Sequence, residues 1–396
     1  MTTGLITPDI LDDMVSWRHD FHQHPELGFE EHRTSARIAD LLQSFGIETH
    51  TGIGGTGVVG VLQRGNGTGS IAFRADMDAL PITETGDVVW RSQTCGAMHA
   101  CGHDGHSSML LGAAAHLARH GDFNGRVIFI FQPNEEHGHG AAAMIKDGLF
   151  TRFEADHVFA MHNIPGMPAG HFATRSGAIT ASESLFEITI HAQGGHAALP
   201  HMGVDAILVG AQLVTALQGI VSRNLDPARN GVVSITEFIT DGRRNVLAGS
   251  ATLKGDARAL GDDTNADIEA AMRRICSGMA ATHDVDISVT YDTVFPALHN
   301  NHAAVDAAVT AAQAVAGAER VNPACDPKLF SEDFAHMARA VPACFMLIGN
   351  GTEGNAGQPL HASDYDFNDG ILGRGAAWIS TLAQQMLPPA ADQAKL

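Results

Sequence analysis

Short apolar runs alternate with segments of helical periodicity over the first 160 residues. The continuous apolar runs at 127–131, 158–161 and 344–348 are typical of strands buried in a parallel sheet. Shorter runs at 58–62 and 71–75, bounded by glycines, also predict strands. Helical spacing at 38–45, followed by Gly46 as a C-cap, and the Ala- and Leu-rich stretch at 107–118 predict helices. This alternation predicts an α/β fold with a mixed, mostly parallel sheet flanked by helices.

The pattern changes between residues 184 and 294. Apolar residues alternate at 186, 188 and 190, which indicates a half-exposed strand. A helix over 204–222, strands over 232–238 and 251–258, a helix over 263–278 and a strand over 285–291 complete the order β-α-β-β-α-β. That order is ferredoxin-like. We therefore predict an inserted α+β domain at 184–294 within a discontinuous domain formed by 1–183 and 295–396.

Composition narrows the class of protein. The chain has 396 residues, 24 basic and 44 acidic, for a formal charge of −20, which disfavours nucleic acid and anionic membranes as partners. No apolar run reaches the roughly 20 residues of a membrane helix. Residues 1–13 lack a secretory signal, and five cysteines do not suggest a disulfide framework, so we expect a cytoplasmic location. The 23 histidines direct attention to metal ligands.

The densest group of potential ligands lies at residues 98–106. Cys101 and His103 are two apart before the predicted helix, and in an extended segment such residues face the same way. A thiolate and an imidazole suit zinc and similar ions. A small buried cysteine beside loop histidines is the alternative interpretation.

Two adjacent carboxylates, Glu135 and Glu136, follow the strand predicted at 127–131. Neighbouring side chains point in different directions, so one carboxylate can bind metal while the other moves protons. An exposed loop end would explain the same pair without chemistry.

His162 and His361 complete the pattern. We expect His162 at the end of the strand at 158–161, and His361 in a loop after the strand at 344–348. Open α/β sheets place their sites at the carboxyl ends of strands. Five protein ligands exceed the three of one catalytic zinc, so the set favours a centre of two divalent ions, Zn, Mn, Co or Ni.

Six motifs resemble the M20 metallopeptidase family in family order along nearly the whole chain. Its nearest branch is the amidohydrolases, similar to hippurate hydrolase, N-acyl-amino-acid hydrolases and auxin-conjugate (IAA-amino acid) hydrolases. The motifs are WRHDFHQHPEL at 17–27, RADMDALP at 74–81, MHACGHDGH at 98–106, QPNEE at 132–136, GGHAALPH at 194–201 and SEDF at 331–334.

This resemblance implies roles for particular residues. Glu135 matches the catalytic base, and His196 matches a histidine of the inserted domain that reaches the active site of the partner subunit. Asp76 stands where many relatives carry a metal-binding histidine, and Asp78 becomes a supporting or structural candidate. The implied metal ligands are Cys101, His103, Glu136, His162 and His361.

The resemblance also implies that 184–294 is a dimerisation or lid domain and that the chain forms a homodimer or homotetramer. Asn245 and Arg258, within this domain, are candidates for binding a substrate carboxylate, although a salt bridge inside the domain would equally account for Arg258. We interpret His99, His106, His137 and His139 as supporting or surface groups.

These features predict a metal-dependent amidohydrolase that cleaves N-acyl amino acids, with Glu135 as base and His196 stabilising the oxyanion. A dipeptidase or carboxypeptidase on the same scaffold is one alternative. A cysteine hydrolase using Cys101 and a metal-storage protein are two others. The adjacent Glu135 and Glu136 argue against storage, which needs no spare base.

Overall fold

The structure is a computed structural model that describes residues 5–389. Within this range the α-helices are α1 Pro8–Gln23, α2 His32–Ser44, α3 His103–His120, α4 Gly140–Lys146, α5 Leu149–Arg152, α6 Ala206–Leu217, α7 Asp262–His283, α8 His302–Ala316, α9 Phe334–Ala340 and α10 Leu372–Met386. The strands are β1 Glu48–Ile53, β2 Gly57–Arg64, β3 Ser70–Asp76, β4 Gly125–Gln132, β5 His157–Pro165, β6 Phe172–Ala173, β7 Gly177–Thr180, β8 Ser182–His191, β9 Gly195–His196, β10 Gly231–Thr240, β11 Val246–Leu247, β12 Ser250–Ala259, β13 Asp286–Phe295, β14 Leu298–Asn300, β15 Val321–Asn322 and β16 Ala343–Gly351.

The chain divides into two compact units. Among the described residues, the first contains 5–179, 299–326 and 333–389, and the second contains 180–298 and 327–332. The segment 327–332 returns to the second unit although no sequence pattern indicated it. The roles that we predict for the two domains stay predictions.

An eight-stranded sheet forms the centre of the first unit, in the order β1-β2-β4-β3-β5-β16-β6-β15. Its middle strands β4, β3, β5 and β16 are parallel, and β1 and β2 add antiparallel partners on one side. Every residue of β3 is buried, which agrees with its apolar residues at 71–73 and 75, and the polar Arg74 and Asp76 form a buried ion pair at 2.7 Å. The predicted α/β class with a mixed sheet is confirmed.

The second unit has its own core. Its antiparallel sheet has the order β10-β12-β8-β13, the ferredoxin-like arrangement, and α6 and α7 contribute buried side chains to the same core. The helix predicted over 204–222 is shorter than expected. α6 ends at Leu217, and one turn of π-helix follows at Ile220–Asn224.

All five cysteines are free thiols, as the absence of a disulfide pattern predicted. None of the helices between residues 5 and 389 combines the length and apolar character that crossing a bilayer requires.

Candidate metal centre

The site begins where two parallel strands of the first unit end together. Asp76, the last residue of β3, pairs with Gln132, the last residue of β4. The backbone N–H of Met77 donates to the carbonyl of Gln132 at 3.0 Å. The loops that carry Asp78 and the Glu135–Glu136 pair therefore start side by side.

Cys101 and His103 do not lie on an extended segment, so that expectation is wrong. Gly102 between them has φ +94°, and α3 begins at His103, four residues before the predicted start. A Cβ on Gly102 would lie 2.3 Å from Oδ1 of Asn163, so both the φ angle and the space require glycine. The left-handed turn, followed by the first turn of α3, presents the two side chains.

His103 has one occupied nitrogen and one bare nitrogen. Its Nδ1 lies 3.1 Å from Oδ1 of Asp78 and 2.9 Å from the Asp78 carbonyl. Its Nε2 lies 3.8 Å from Oε1 of Glu136, and both of these buried atoms lack a hydrogen-bond partner among the described residues. Buried polar atoms are nearly always paired, so an imidazole nitrogen and a carboxylate oxygen that face each other without hydrogen-bond partners are suited to bind a cation between them.

His162 is oriented in the same way. It lies inside β5 and not at the end of its strand, because β5 continues to Pro165; the predicted position is corrected accordingly. Its Nδ1 lies 2.6 Å from the carbonyl of Asn163, and its Nε2 lies 3.5 Å from Sγ of Cys101. Since Nδ1 must donate to a carbonyl, Nε2 keeps the lone pair that a metal needs.

His361 approaches Glu136 from the loop after β16. Its Nε2 lies 3.5 Å from Oε2 of Glu136, and its side chain is 52% exposed, unlike the other predicted ligands. His361 has φ +67°, and its N–H donates to the carbonyl of Ala100 at 2.8 Å. Such backbone strain in a residue other than glycine concentrates at functional sites.

Two overlapping ligand groups share Glu136. Their atoms lie within 4.8 Å of one another in each group, one comprising Cys101, Glu136 and His361 and the other His103, Glu135 and Glu136. With His162 beside Cys101, the structure brings all five predicted ligands together. The shared carboxylate suits two neighbouring ions.

A further group of Asp76, His103, His106 and His162 meets the same distance limit. Its Asp76–His106 part is already paired within the protein, because His106 Nδ1 lies 2.6 Å from Asp76 and His106 Nε2 lies 2.7 Å from Oδ1 of Asn163. Asp76, His106 and Asn163 therefore form a hydrogen-bonded group beside the rings of His103 and His162. Asn163 was not identified from the sequence, and only its position next to His162 could have indicated it.

The electrostatics of the site favour a cation. Burial, together with Glu136, Glu135 and Asp76, raises the pKa of the Cys101 thiol well above its usual value. Burial and His106 lower the pKa of His162 well below its usual value, which keeps this ring neutral. Positive charge is what such a thiol needs to ionise beside carboxylates.

Three predicted site residues, His196, Asn245 and Arg258, belong to the second unit, whereas the ligand cluster belongs to the first. His196 is exposed on β9, where it pairs with Val246 of β11, and the Asn245 carbonyl accepts from Ala197 at 3.1 Å. Arg258 on β12 uses all three guanidinium nitrogens within its unit. They contact Asp256 at 2.8 Å, Glu183 at 2.9 Å and Ser331 at 2.6 Å.

An α/β sheet that gathers thiol, imidazole and carboxylate side chains from β5, the start of α3 and the loops after β4 and β16 defines a candidate two-metal hydrolase. Comparison with known proteins gives the same class. The profile of peptidase family M20/M25/M40 matches residues 72–385, and the chain belongs to this family.

Relatives and a solved structure agree over nearly the full length. The hippurate hydrolase of Campylobacter jejuni is 40% identical, over 96% of this chain and 99% of its own. Thermostable carboxypeptidase 2 of Saccharolobus solfataricus is 35% identical, over 95% of each chain. A dinuclear metal-binding M20 peptidase of Bacillus subtilis superposes with a TM-score of 0.83 at 28% identity, over 96% of this chain and 99% of its own.

Proposed function

We propose that this chain hydrolyses the amide bond of N-acyl amino acids to a carboxylic acid and a free amino acid, using two divalent ions. The observation that carries the proposal is the pair of bare buried atoms, His103 Nε2 and Glu136 Oε1, at the centre of the ligand cluster. The similarity to a hippurate hydrolase supports N-acyl amino acids as the substrate class.

We assign Cys101, His103, Glu136, His162 and His361 as the ligands. Bound divalent ions in such a site polarise a carbonyl oxygen and acidify water. Among the candidate ions Zn, Mn, Co and Ni, thiolate and imidazole ligands favour the later transition metals.

Glu135 is the proposed general base. It is buried, and one of its carboxylate oxygens lies 3.4 Å from the backbone N–H of Asp333. The turn before Glu135 contains Asn134 at φ +47°. The backbone N–H of the next residue, Glu136, donates to the carboxylate of Asp78 at 3.0 Å, so the two glutamates are held by different contacts. Glu135 accepts a proton from the attacking water and delivers it to the amide nitrogen as the bond breaks.

A substrate panel tests this proposal. Hippurate and N-acetyl, long-chain acyl and indole-acetyl amino acids are compared with dipeptides that have free amino termini. We expect higher kcat/KM for at least one acyl-capped class than for any dipeptide. Preference for dipeptides would instead support the peptidase alternative, which the carboxypeptidase relative makes relevant.

We also propose that the protein is a homodimer formed through its second unit. β10 is an edge strand, and an exposed edge with apolar side chains is a template for pairing with another copy. Most of the exposed large apolar side chains among residues 5–389 belong to this unit: Leu185, Leu199, Met202, Ile207, Leu208, Phe238, Ile239, Val246 and Leu329.

In that dimer we propose that His196 stabilises the oxyanion in the neighbouring subunit's site. Loss of one such donor typically costs about 10²–10³ in rate. Mixing inactive His196→Ala subunits with inactive Glu135→Gln subunits should restore part of the activity, since one site of a heterodimer then has both groups. No recovery in a confirmed heterodimer would contradict action across subunits.

A further inference from the structure

A buried charged network lies behind the metal centre, outside the ligand set. Arg18 and His22, one turn apart on α1, have fully buried side chains and converge on the buried carboxylate of Asp104. His22 Nδ1 lies 2.8 Å and Arg18 Nε lies 3.3 Å from the same Asp104 oxygen. Burying three such groups is expensive unless they are paired with good geometry, so the arrangement needs a reason.

The network is anchored on several sides. His22 Nε2 lies 3.3 Å from Glu84, and Arg18 Nη2 donates to the carbonyl of Phe367 at 3.0 Å and also contacts Asp366. The other oxygen of Asp104 accepts from the N–H of Gly105 at 2.9 Å. Asp104 is therefore held by α1 and by its own helix, and it has little freedom to rotate.

Asp104 is adjacent in sequence to His103, the first residue of α3 and a proposed ligand. The turn before His103 contains Gly102 at φ +94°, and because glycine has no side chain, this turn by itself restrains the backbone only weakly. The ring of His103 is fixed on one side by Asp78. The first turn of α3 is held at two further points, through His106, which contacts Asp76 and Asn163, and through Asp104 with its partners on α1.

We propose that His22, acting through Asp104, is a positioning residue that orients the first turn of α3, and with it His103, for metal binding. This inference rests on the proposed metal centre. The proposal assigns a role to the motif at 17–27, none of whose side chains belongs to the ligand cluster.

Two substitutions of His22 separate positioning from general stability. In His22→Asn the amide nitrogen occupies nearly the place of Nδ1 and can still donate to Asp104. In His22→Gln it occupies nearly the place of Nε2 and can donate to Glu84 instead. Both variants are neutral and lose the ring, but only one keeps the Asp104 contact.

The test measures Zn²⁺ affinity of metal-free protein against a chromophoric chelator, and the absorption spectrum of bound Co²⁺. Loss of a supporting contact typically weakens metal binding about 10–100-fold. We expect His22→Gln to weaken Zn²⁺ binding about tenfold and to change the Co²⁺ spectrum, while His22→Asn stays within about threefold of wild type. Equal affinities in the two folded variants would overturn the inference.

Asp104→Asn is the second variant, should His22→Gln fail to fold; unchanged Zn²⁺ affinity there would also overturn the inference. Ser70→Ala is the control for stability alone, because Ser70 is buried at the opposite end of β3 and its hydroxyl donates to the backbone carbonyl of Glu154 at 2.7 Å. It should leave metal affinity unchanged. Wild-type protein that binds no metal would instead overturn the proposed centre, and the inference with it.

Discussion

Asp78 supports two parts of the site at once, so its substitution tests the geometry of the centre closely. One carboxylate oxygen lies 3.1 Å from His103 Nδ1, and the other accepts the N–H of Glu136 at 3.0 Å. Asp78 is itself buried. Asp78→Asn keeps the size of the side chain but replaces one acceptor oxygen by an NH₂ group.

Either orientation of the new amide leaves a conflict. If its oxygen faces His103, its NH₂ meets the N–H of Glu136. If its oxygen faces Glu136, its NH₂ meets the N–H at Nδ1 of His103, which keeps the Asp78 carbonyl at 2.9 Å as an acceptor, unless the ring moves its proton to Nε2, the proposed metal-binding atom. An unpaired buried polar group costs about 1–3 kcal/mol. Since about 1.4 kcal/mol is a tenfold change in affinity, we expect Zn²⁺ binding to weaken roughly 10–100-fold.

The assay is competition for Zn²⁺ between metal-free protein and a chromophoric chelator, with thermal unfolding of the metal-free protein measured in parallel. Ser70→Ala again reports the effect of losing a buried hydrogen bond far from the site. A folded Asp78→Asn protein whose Zn²⁺ affinity matches that of wild type within about twofold would refute the orientation of His103 described above.

Three other variants make separate predictions. Glu135→Gln should lower kcat by about 10²–10⁴ while metal content is retained, and lost metal would make Glu135 a ligand. Burial and the charge of Arg18 lower the pKa of His22, but its contacts with Asp104 and Glu84 outweigh them and raise that pKa from 6.5 to about 9. Wild type should therefore exceed His22→Asn in stability by up to about 3 kcal/mol below pH 6.5, and this advantage should disappear as the pH rises through 9; a pH-independent difference in urea unfolding would count against it. Arg258→Ala should reduce kcat/KM for an N-acyl amino acid about tenfold more than for its uncharged amide if Arg258 binds carboxylate, whereas equal losses would assign Arg258 to its contacts with Glu183 and Asp256.

The elements that the sequence pattern predicts are those with a clear apolar signal. β4 and β16 are continuous apolar runs, and both were predicted as buried strands. Helix α1 was not predicted, although Ile10, Met14, Trp17 and Phe21 have helical spacing, because Arg18 and His22 share its buried side. A polarity pattern treats such residues as solvent-facing, and only their partners on other elements show why they can be buried.

In the candidate site, too, residue types were predictable from the sequence, whereas features that depend on contacts distant in sequence were not. Residue type and motif order predicted five candidate ligands, which the structure brings close together, because metal chemistry restricts which side chains can serve. The conformation around Cys101 and His103 was not accessible in this way, since the left-handed turn at Gly102 depends on the close approach of Asn163, a contact distant in sequence. The contacts of Arg258 with Glu183 and Ser331 are likewise long-range, and no local spacing indicates them.

Metal dependence of amide hydrolysis tests the central claim most directly. Protein freed of metal with a strong chelator is assayed with hippurate and other N-acyl amino acids, then refilled with Zn²⁺, Mn²⁺, Co²⁺ or Ni²⁺ while bound metal is counted by elemental analysis. We predict that activity is lost with the metal and returns as up to two ions bind per chain. Full activity in protein verified to be metal-free would contradict this assignment of the site.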